Sequence, residues 1–142
     1  MERILVANRG EIAIRIVRAA RQLGKETVSV YTRDDAESLH VTYADQAAEL
    51  SREGAAGYLD AQALVDVACR MGCTAVHPGY GFLSENADFA RLCAAQGLRF
   101  IGPTPEILDM FGSKVKALQL ARDAGVPVMP GTSEATSLEA AR

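Results

Sequence analysis

The chain has 142 residues, of which 49% are apolar and 23% are charged, and its formal net charge is −3. This length suits one domain with at most the start of a second, and the apolar fraction is sufficient for a core. The slightly acidic balance lacks the basic surface of nucleic-acid-binding proteins, and no apolar run approaches the ~20 residues that span a bilayer. We therefore expect no nucleic-acid partner and no membrane partner.

The first part of the chain predicts two strands around an amphipathic helix. Residues 3–7 are almost continuously apolar, which is typical of a strand in a buried parallel sheet. Residues 11–23 have helical periodicity, and Gly24 is placed to end that helix. Residues 26–31 form the second predicted strand. The apolar face of the helix is expected to comprise Ile12, Ile16, Ala20 and Leu23.

The rest of the chain continues the alternation of strands and helices. Further strands are predicted at 47–50, 74–76 and 99–101. Further helices are predicted at 39–45, at 61–71 after a cap at Asp60, from Ser84 or Asn86 to Gly97 with Phe89, Ala90, Cys93 and Ala94 inward, at 105–111 and at 113–124. Residues 51–58 have a loop-like composition. The pattern predicts an α/β fold with a doubly wound, mainly parallel five-stranded sheet and helices on both faces.

The pattern changes after Pro103, and the chain ends soon after a possible helix cap at Ser137. We therefore divide the chain into a domain at 1–103 and a helical linker at 104–142 that begins a second region. An isolated helix needs ~12–15 residues to be even marginal in water, so we expect the chain to be a piece of a longer protein.

The three cysteines, Cys69, Cys73 and Cys93, fall in predicted helices or strands. An odd number of cysteines outside loops favours small buried side chains in a reducing compartment over a disulfide framework. Neither His40 nor His77 lies at a zinc-like spacing from them, so we expect no metal site.

The loop Asn8-Arg9-Gly10-Glu11 joins the first strand to the first helix. It is either a ligand-facing loop or an ordinary turn, since Gly10 permits a tight bend and Glu11 suits the helix dipole. A dinucleotide fingerprint would need two more glycines here, so Asp34 and Asp35 at the end of the second strand are weak support for a nicotinamide site.

The loop from His77 to Asn86 carries two glycines around Tyr80. Such a loop lets backbone approach a ligand while the ring is presented, and a capped helix after it favours an anion. The alternative is that His77 only bonds at a strand end and that Glu85 only complements a helix dipole. For those two residues the structural interpretation is favoured.

A third segment, Phe111-Gly112-Ser113-Lys114-Val115, places a lysine in the first turn of a helix. That position is unfavourable for a cation by ~0.3–1 kcal/mol, and a bound phosphate would reverse the sign. It is not a Walker A loop, because no glycine stands five residues before Gly112. On the first helix, Arg15, Arg18 and Gln22 continue a polar stripe from Glu11, which is usually a solvated face.

The stretches Val6–Ala13 and His77–Asn86 closely resemble the N-terminal domain of biotin carboxylases, and the resemblance runs from Arg3 to about Thr132. It implies a Rossmann-like (pre-ATP-grasp) fold followed by a truncated ATP-grasp region. By resemblance, Tyr80 and Gly81 lie near biotin, with Glu85 as a weaker candidate, and Lys114 contacts ATP phosphates. Ser113 stands where the family commonly has aspartate. Arg15, Arg18 and Gln22 correspond to the family's homodimer interface, and Gln22 replaces a frequent acid.

The resemblance also implies the reaction of the longer protein. ATP would phosphorylate bicarbonate, and the carboxyl group would pass to biotin on a carrier protein or domain, with Mg²⁺ or Mn²⁺ on the phosphates. The partners would be a biotin carboxyl carrier, a carboxyltransferase and a second subunit. No catalytic residue or metal ligand of the family falls within this chain, so we expect the chain alone to be inactive. The location would be cytoplasmic, or the mitochondrial matrix for a processed eukaryotic precursor.

Three alternatives remain at this point. Another ATP-grasp ligase, of the carbamoyl-phosphate synthetase or purine carboxylase type, shares this leading domain, although the stretch from His77 favours biotin carboxylase. A dinucleotide-dependent oxidoreductase is disfavoured by the missing glycines. A non-catalytic interaction module would self-associate without any effect of nucleotide.

Overall fold

The computed structural model describes residues 2–129, and its centre is one five-stranded sheet in the order β3-β2-β1-β4-β5 with every pairing parallel. The strands are β1 (Arg3–Val6), β2 (Glu26–Tyr31), β3 (Gln46–Glu49), β4 (Ala75–His77) and β5 (Arg99–Phe100). The helices are α1 (Gly10–Gln22), α2 (Leu39–Tyr43), α3 (Gly54–Tyr58), α4 (Ala61–Arg70), α5 (Ala87–Ala95), α6 (Pro105–Phe111) and α7 (Lys114–Asp123), with a 3-10 turn at Arg33–Asp35.

Helices cover both faces of the sheet. Successive side chains of β1 point to opposite faces, so each face has its own core. Leu5 packs into the larger core with residues of α3, α4 and α5, whereas Val6 packs against α1 on the other face. This arrangement confirms the predicted doubly wound, parallel α/β fold. All five predicted strands are present, with ends that differ by one residue at most.

One predicted loop is a helix. Residues 51–58 have a loop-like composition, yet Gly54–Tyr58 forms α3. Tyr58 is fully buried, and Gly57 lies so close to Thr32 that an added Cβ would come within 2.5 Å of its Cγ2 atom. Tertiary packing of these two residues therefore overrides the weak helix propensity of a segment with two glycines.

Two predicted core positions are exposed. Leu23 follows the last residue of α1 and is 73% exposed, while the buried stripe of α1 consists of Ala13, Ile16, Val17 and Ala20. Ala94 is exposed on α5. Ala87 is buried there instead, because the start of α5 packs against Leu108 of α6. The prediction of three buried cysteines is also wrong at one position: Cys73 and Cys93 are buried, but Cys69 is exposed.

The helix starts follow the predicted caps. The carboxylate of Asp60 accepts a hydrogen bond from the Ala63 amide at the start of α4, and Ser113 caps α7. Of the two candidates before α5, Asn86 is the cap, since its side chain accepts from the Phe89 amide at 2.8 Å. The possible cap at Ser137 lies outside the described residues. Within the described residues, no helix combines the length and the apolar character needed to cross a membrane.

Burial of His40 makes the free energy of unfolding depend on pH. Its side chain is fully buried and bonds the Val30 carbonyl, and burial lowers its pKa, as it does for His77. The unfolded chain therefore binds protons at a higher pH than the folded chain, with a histidine pKa near ~6.5. We expect the free energy of unfolding to be greatest above that pH and to decrease as the pH falls below it.

Chemical denaturation of the chain between about pH 7.5 and 5.5 measures this decrease, because carboxylates titrate near ~4, below the window. A variant with His40→Gln and His77→Gln should lose most of the slope. A wild-type stability that is constant across the window would contradict the assignment of neutral side chains to buried His40 and partly buried His77.

Candidate functional site

The strand order places a crevice between the carboxyl ends of β1 and β4. The chain proceeds from β1 to β2 and β3 on one side, and then crosses to β4 and β5 on the other side. Such a reversal is where open α/β sheets bind ligands. The loop after β1 and residues 78–82 after β4, here called the glycine loop, enclose a cleft of about 420 Å³. Its lining comprises Asn8, Arg9, Gly10, Glu11, Ile12, Tyr80, Gly81 and Phe82.

The buried side chain of Asn8 connects the two loops by hydrogen bonds. The residue is 3% exposed, and its Nδ2 atom donates to the carbonyl oxygens of Pro78 at 2.7 Å and Tyr80 at 2.8 Å. Its Oδ1 atom accepts a hydrogen bond from the Arg9 amide at 2.9 Å. A buried amide with all of these partners fixes the separation of the two loops, because losing one partner would leave a buried polar group unpaired.

The two glycines of the glycine loop have the same backbone conformation but different surroundings. Gly79 has φ +70° and Gly81 has φ +65°, both in the left-handed region that favours glycine. An added Cβ at Gly79 would lie 2.7 Å from Nδ2 of Asn8, whereas one at Gly81 would meet nothing within 4 Å. Gly79 therefore permits close packing on Asn8, and Gly81 keeps the cleft wall open.

This difference predicts unequal effects of Gly79→Ala and Gly81→Ala on stability. Both substitutions introduce left-handed strain of about 1–2 kcal/mol. Only the alanine at position 79 also overlaps the Asn8 amide, which adds about 1–3 kcal/mol. Urea denaturation of the two variants measures the difference directly, and equal destabilisation would contradict the close packing of Gly79 on Asn8.

Tyr80 is presented at the mouth of the cleft. The residue is 59% exposed, and its hydroxyl donates to the Glu11 carboxylate at 2.9 Å. That hydrogen bond and the charge of Glu11 raise the pKa of Tyr80, so the phenol keeps its proton near neutral pH. The pair provides one hydroxyl and one carboxylate oxygen at the surface of the cleft, beside the apolar wall from Ile12 and Phe82.

Phe82 closes the glycine loop in a strained conformation. It is the one non-glycine residue with positive φ, +42°, in the described part of the chain. Its ring stacks on buried Tyr58 with centroids 5.2 Å apart, and the Arg9 guanidinium lies 6.0 Å from its centroid. Such strain persists only where surrounding contacts hold the residue, and it is concentrated at functional sites.

A polar network around Tyr58, the residue on which Phe82 stacks, supports the glycine loop. The Tyr58 hydroxyl donates to the Asp35 carboxylate at 2.9 Å, and Arg9 pairs with the same carboxylate at 3.1 Å. Burial raises the pKa of Tyr58 to about 12, with help from the bond to Asp35. Burial alone would raise the pKa of Asp35, but hydrogen bonds from Tyr58, Arg9 and Ser38 outweigh it and lower the pKa. The carboxylate therefore stays ionised and holds Arg9 beside the cleft.

Glu85 and Lys114 do not line this cleft. Glu85 lines a second cavity of about 270 Å³ with Ile107, Phe111 and Gly112, where α6 ends. It precedes the first residue of α5, so it is not the first-turn acid considered above; Asp88 occupies that place. Lys114 is exposed at the first position of α7, and no ion pair to it is found within residues 2–129.

The structural interpretation of His77 is supported by its contacts. The residue ends β4, and its Nδ1 atom accepts a hydrogen bond from the Gly79 amide at 3.1 Å. Its ring therefore shapes the start of the glycine loop. His77 also lines a larger groove of about 530 Å³, which lies mainly against apolar residues of α1 and offers Arg15 as its charged group. The smaller cleft has the denser set of polar groups that orient a ligand.

The polar stripe of α1 is on the surface. Arg15, Arg18 and Gln22 are all exposed. The Arg18 guanidinium lies 5.2 Å from the ring centroid of Tyr43 on α2, which holds that side chain against the protein. Nowhere in residues 2–129 do three or more histidine, cysteine, aspartate or glutamate side chains group in a way that could hold a metal ion.

Sequence reasoning identified the glycine loop but missed how it is held. Asn8 was considered only as part of a possible ligand-facing loop, Asp35 only as weak support for a nicotinamide site, and Tyr58 was not singled out, yet all three contact the glycine loop or its support. The available signal for Asn8 was a polar residue directly after a buried strand. For Tyr58 no comparable signal exists, because its segment has a loop-like composition.

Comparisons with known proteins identify the relatives of this chain and agree with its fold. Residues 1–108 match the family profile described as biotin carboxylase, N-terminal domain. The biotin carboxylase domain of a single-chain bacterial carboxylase is 60% identical, with a TM-score of 0.95 over 98% of this chain and 32% of that chain. The mitochondrial methylcrotonoyl-CoA carboxylase subunit alpha of Oryza sativa is 53% identical over 92% of this chain and 18% of its own length.

A third relative was solved with ligands. The biotin carboxylase domain dimer of Hydrogenobacter thermophilus 2-oxoglutarate carboxylase, in complex with MgADP, ADP and bicarbonate, is 43% identical with a TM-score of 0.91. The match covers 93% of this chain and 29% of that chain. The chain thus spans less than a third of the length of these three relatives.

Proposed function

Because the chain belongs to the biotin carboxylase N-terminal domain family, we propose that it forms the first domain of a biotin carboxylase. Such an enzyme uses ATP and bicarbonate to carboxylate biotin on a carrier protein. The observation that carries the proposal is the cleft at the β1–β4 crevice, where the glycine loop exposes Tyr80 and Gly81.

The proposed biotin wall consists of Tyr80 and Gly81. A ureido ring has N–H donors and a carbonyl acceptor, and the Tyr80–Glu11 pair offers one hydroxyl and one carboxylate oxygen. Ile12 and Phe82 provide apolar surface beside them. Glu85 lines a different cavity, so its contribution would be to the side of the site near α6 rather than to this wall.

The proposed ATP contact is Lys114. Its exposed ammonium group at the start of α7 has no counter-ion within the described residues, so a phosphate oxygen could accept from it directly. The Ser113 hydroxyl accepts from the Lys116 amide at 3.5 Å and keeps the helix start in place. Serine caps here without adding the negative charge that aspartate would bring near a phosphate.

The catalytic groups and the Mg²⁺ or Mn²⁺ ligands are assigned to other parts of a longer enzyme. The described residues offer no cluster of metal ligands, so we derive no step through a metal on this chain. The role of residues 1–103 would be to shape the biotin side of the site, and residues 104–142 would lead into the ATP-grasp region. The chain alone is therefore proposed to be inactive.

The proposed partners are those of a multidomain carboxylase. A biotin carboxyl carrier would deliver biotin to the cleft, and a carboxyltransferase would accept the carboxyl group. The exposed stripe of Arg15, Arg18 and Gln22 is proposed as part of a homodimer interface, which is supported by the dimer of the Hydrogenobacter relative. We place the enzyme in the cytoplasm, or in the mitochondrial matrix if its source is eukaryotic.

ATP hydrolysis with and without biotin tests the proposal. The chain should be compared with the full-length product of the gene that encodes it, at saturating bicarbonate. We expect biotin-stimulated hydrolysis by the full-length protein and none by the chain. Hydrolysis that ignores biotin would favour another ATP-grasp ligase, and no hydrolysis by the full-length protein would refute the proposal.

A further inference from the structure

We propose that Asn8 is the positioning residue for the biotin site, and that it acts by holding the glycine loop rather than by touching the ligand. The inference rests on the proposed function, because it assigns Tyr80 and Gly81 to biotin. Asn8 follows β1, in the loop that faces the glycine loop across the cleft. It belongs neither to the polar stripe of α1 nor to the glycine loop.

The hydrogen-bonding capacity of the Asn8 amide is already used within the protein. An amide nitrogen has two hydrogens to donate, and Nδ2 of Asn8 donates to the Pro78 and Tyr80 carbonyls. The amide oxygen accepts from the Arg9 backbone. No donor is left for a ligand, and the side chain is only 3% exposed. Asn8 therefore influences the cleft through the backbone to which it bonds.

The backbone held by Asn8 is the part that carries the proposed contacts. The two carbonyls belong to residues on either side of Gly79, and Gly79 packs on the amide so closely that a Cβ would overlap it. The second carbonyl is that of Tyr80 itself, and Gly81 follows directly. A shift of this segment by about 1 Å would displace the reacting ligand, and such misplacements can cost roughly 100-fold in rate.

A second contact makes the arrangement depend on both loops. The Tyr80 hydroxyl donates to Glu11 in the first turn of α1, and Asn8 lies in the connection that leads from β1 into that helix. The glycine loop is thus held at its backbone by Asn8 and at the tip of one side chain by Glu11. Among the hydrogen bonds within residues 2–129, removing the donors of Asn8 leaves Tyr80 with the one from its exposed hydroxyl, which competes with water.

The two asparagines of the chain provide a matched pair of substitutions. Asn8→Asp keeps the size of the side chain but replaces both donor hydrogens with an acceptor that faces two carbonyl oxygens. Asn86→Asp makes the same chemical change at a side chain whose hydrogen bond within the described residues uses the amide oxygen, as the cap that accepts from the Phe89 amide. Aspartate caps a helix as well as asparagine does, so this control should be neutral.

The experiment measures kcat/KM for biotin, the ATP KM and biotin-independent ATP hydrolysis in the full-length gene product. Asn8→Asp should lower kcat/KM for biotin by roughly tenfold or more, with the other two values within about twofold of wild type. Gly79→Ala, which pushes on the amide from the loop side, should reproduce this pattern. Asn86→Asp should change none of the three values.

The outcomes separate this inference from the proposed function. A wild-type protein without biotin-stimulated hydrolysis refutes the proposed function itself. If the wild type responds to biotin, the inference is overturned when biotin kcat/KM in both Asn8→Asp and Gly79→Ala falls no further than biotin-independent hydrolysis. Loss of folded protein in both variants also overturns it, because Asn8 would then be a folding residue.

Discussion

Replacing Gly81 with valine is expected to lower the biotin-dependent rate of the full-length enzyme by roughly 100-fold, because the new side chain would occupy the cleft wall. Gly81 lines the cleft, and the space where a Cβ would project is open for 4 Å. The left-handed backbone adds about 1–2 kcal/mol of strain, which a domain with typical stability of about 5–15 kcal/mol tolerates. Biotin-independent ATP hydrolysis should persist.

Gly97→Val is the matched control for this substitution. Gly97 has φ +72°, follows α5 and also has nothing within 4 Å of an added Cβ, but it does not line the cleft. It should therefore carry the same backbone strain without an effect on biotin kinetics. If the two valine variants lose biotin-dependent activity equally, the loss reflects strain, and the glycine loop is not a biotin wall.

Replacing Lys114 with alanine is expected to raise the ATP KM by roughly tenfold or more, which is the loss of one charge-assisted hydrogen bond. The biotin and bicarbonate KM values should change little. The same substitution should slightly stabilise the protein without nucleotide, because it removes a cation from the positive end of the α7 dipole. If Lys114 contacts a phosphate, the alanine variant should bind ATP more weakly and yet be slightly more stable than wild type without nucleotide.

Lys116→Ala provides the comparison on the same helix. Lys116 is two residues further along α7 and is exposed like Lys114, so general charge effects should be similar in both variants. Steady-state kinetics over a range of ATP concentrations distinguish them. An ATP KM that rises equally in the two variants would assign the effect to the overall charge of α7 rather than to a contact by Lys114.

The regular elements were predictable from the sequence because their signals are local. Apolar runs and periodicity located the five strands and the long helices, and Asp60 and Ser113 cap α4 and α7 as expected. The segment that became α3 was missed for the opposite reason. Its helix depends on burying Tyr58 beneath Thr32, an interaction that no periodicity within five residues encodes.

The candidate site was only half predictable. The glycine loop stands out because two glycines flank an aromatic residue shortly after a predicted strand, where backbone can approach a ligand. Its partner Asn8 lies 70 residues away from Pro78, and the two meet because β1 and β4 are neighbours in the sheet. Alternation of strands and helices indicates a parallel sheet but does not show which strands are adjacent. The hydrogen bonds from Asn8 to the glycine loop could therefore be found only in the structure.

The most direct test of the account is the transfer of labelled carbon from bicarbonate to biotin by the full-length gene product. With ATP present, label should appear in biotin, and omission of ATP should abolish it. The Gly81→Val variant should retain ATP hydrolysis and lose most of the label. Consumption of ATP and bicarbonate by the wild type without any label in biotin would contradict the assignment of the cleft at Tyr80 and Gly81.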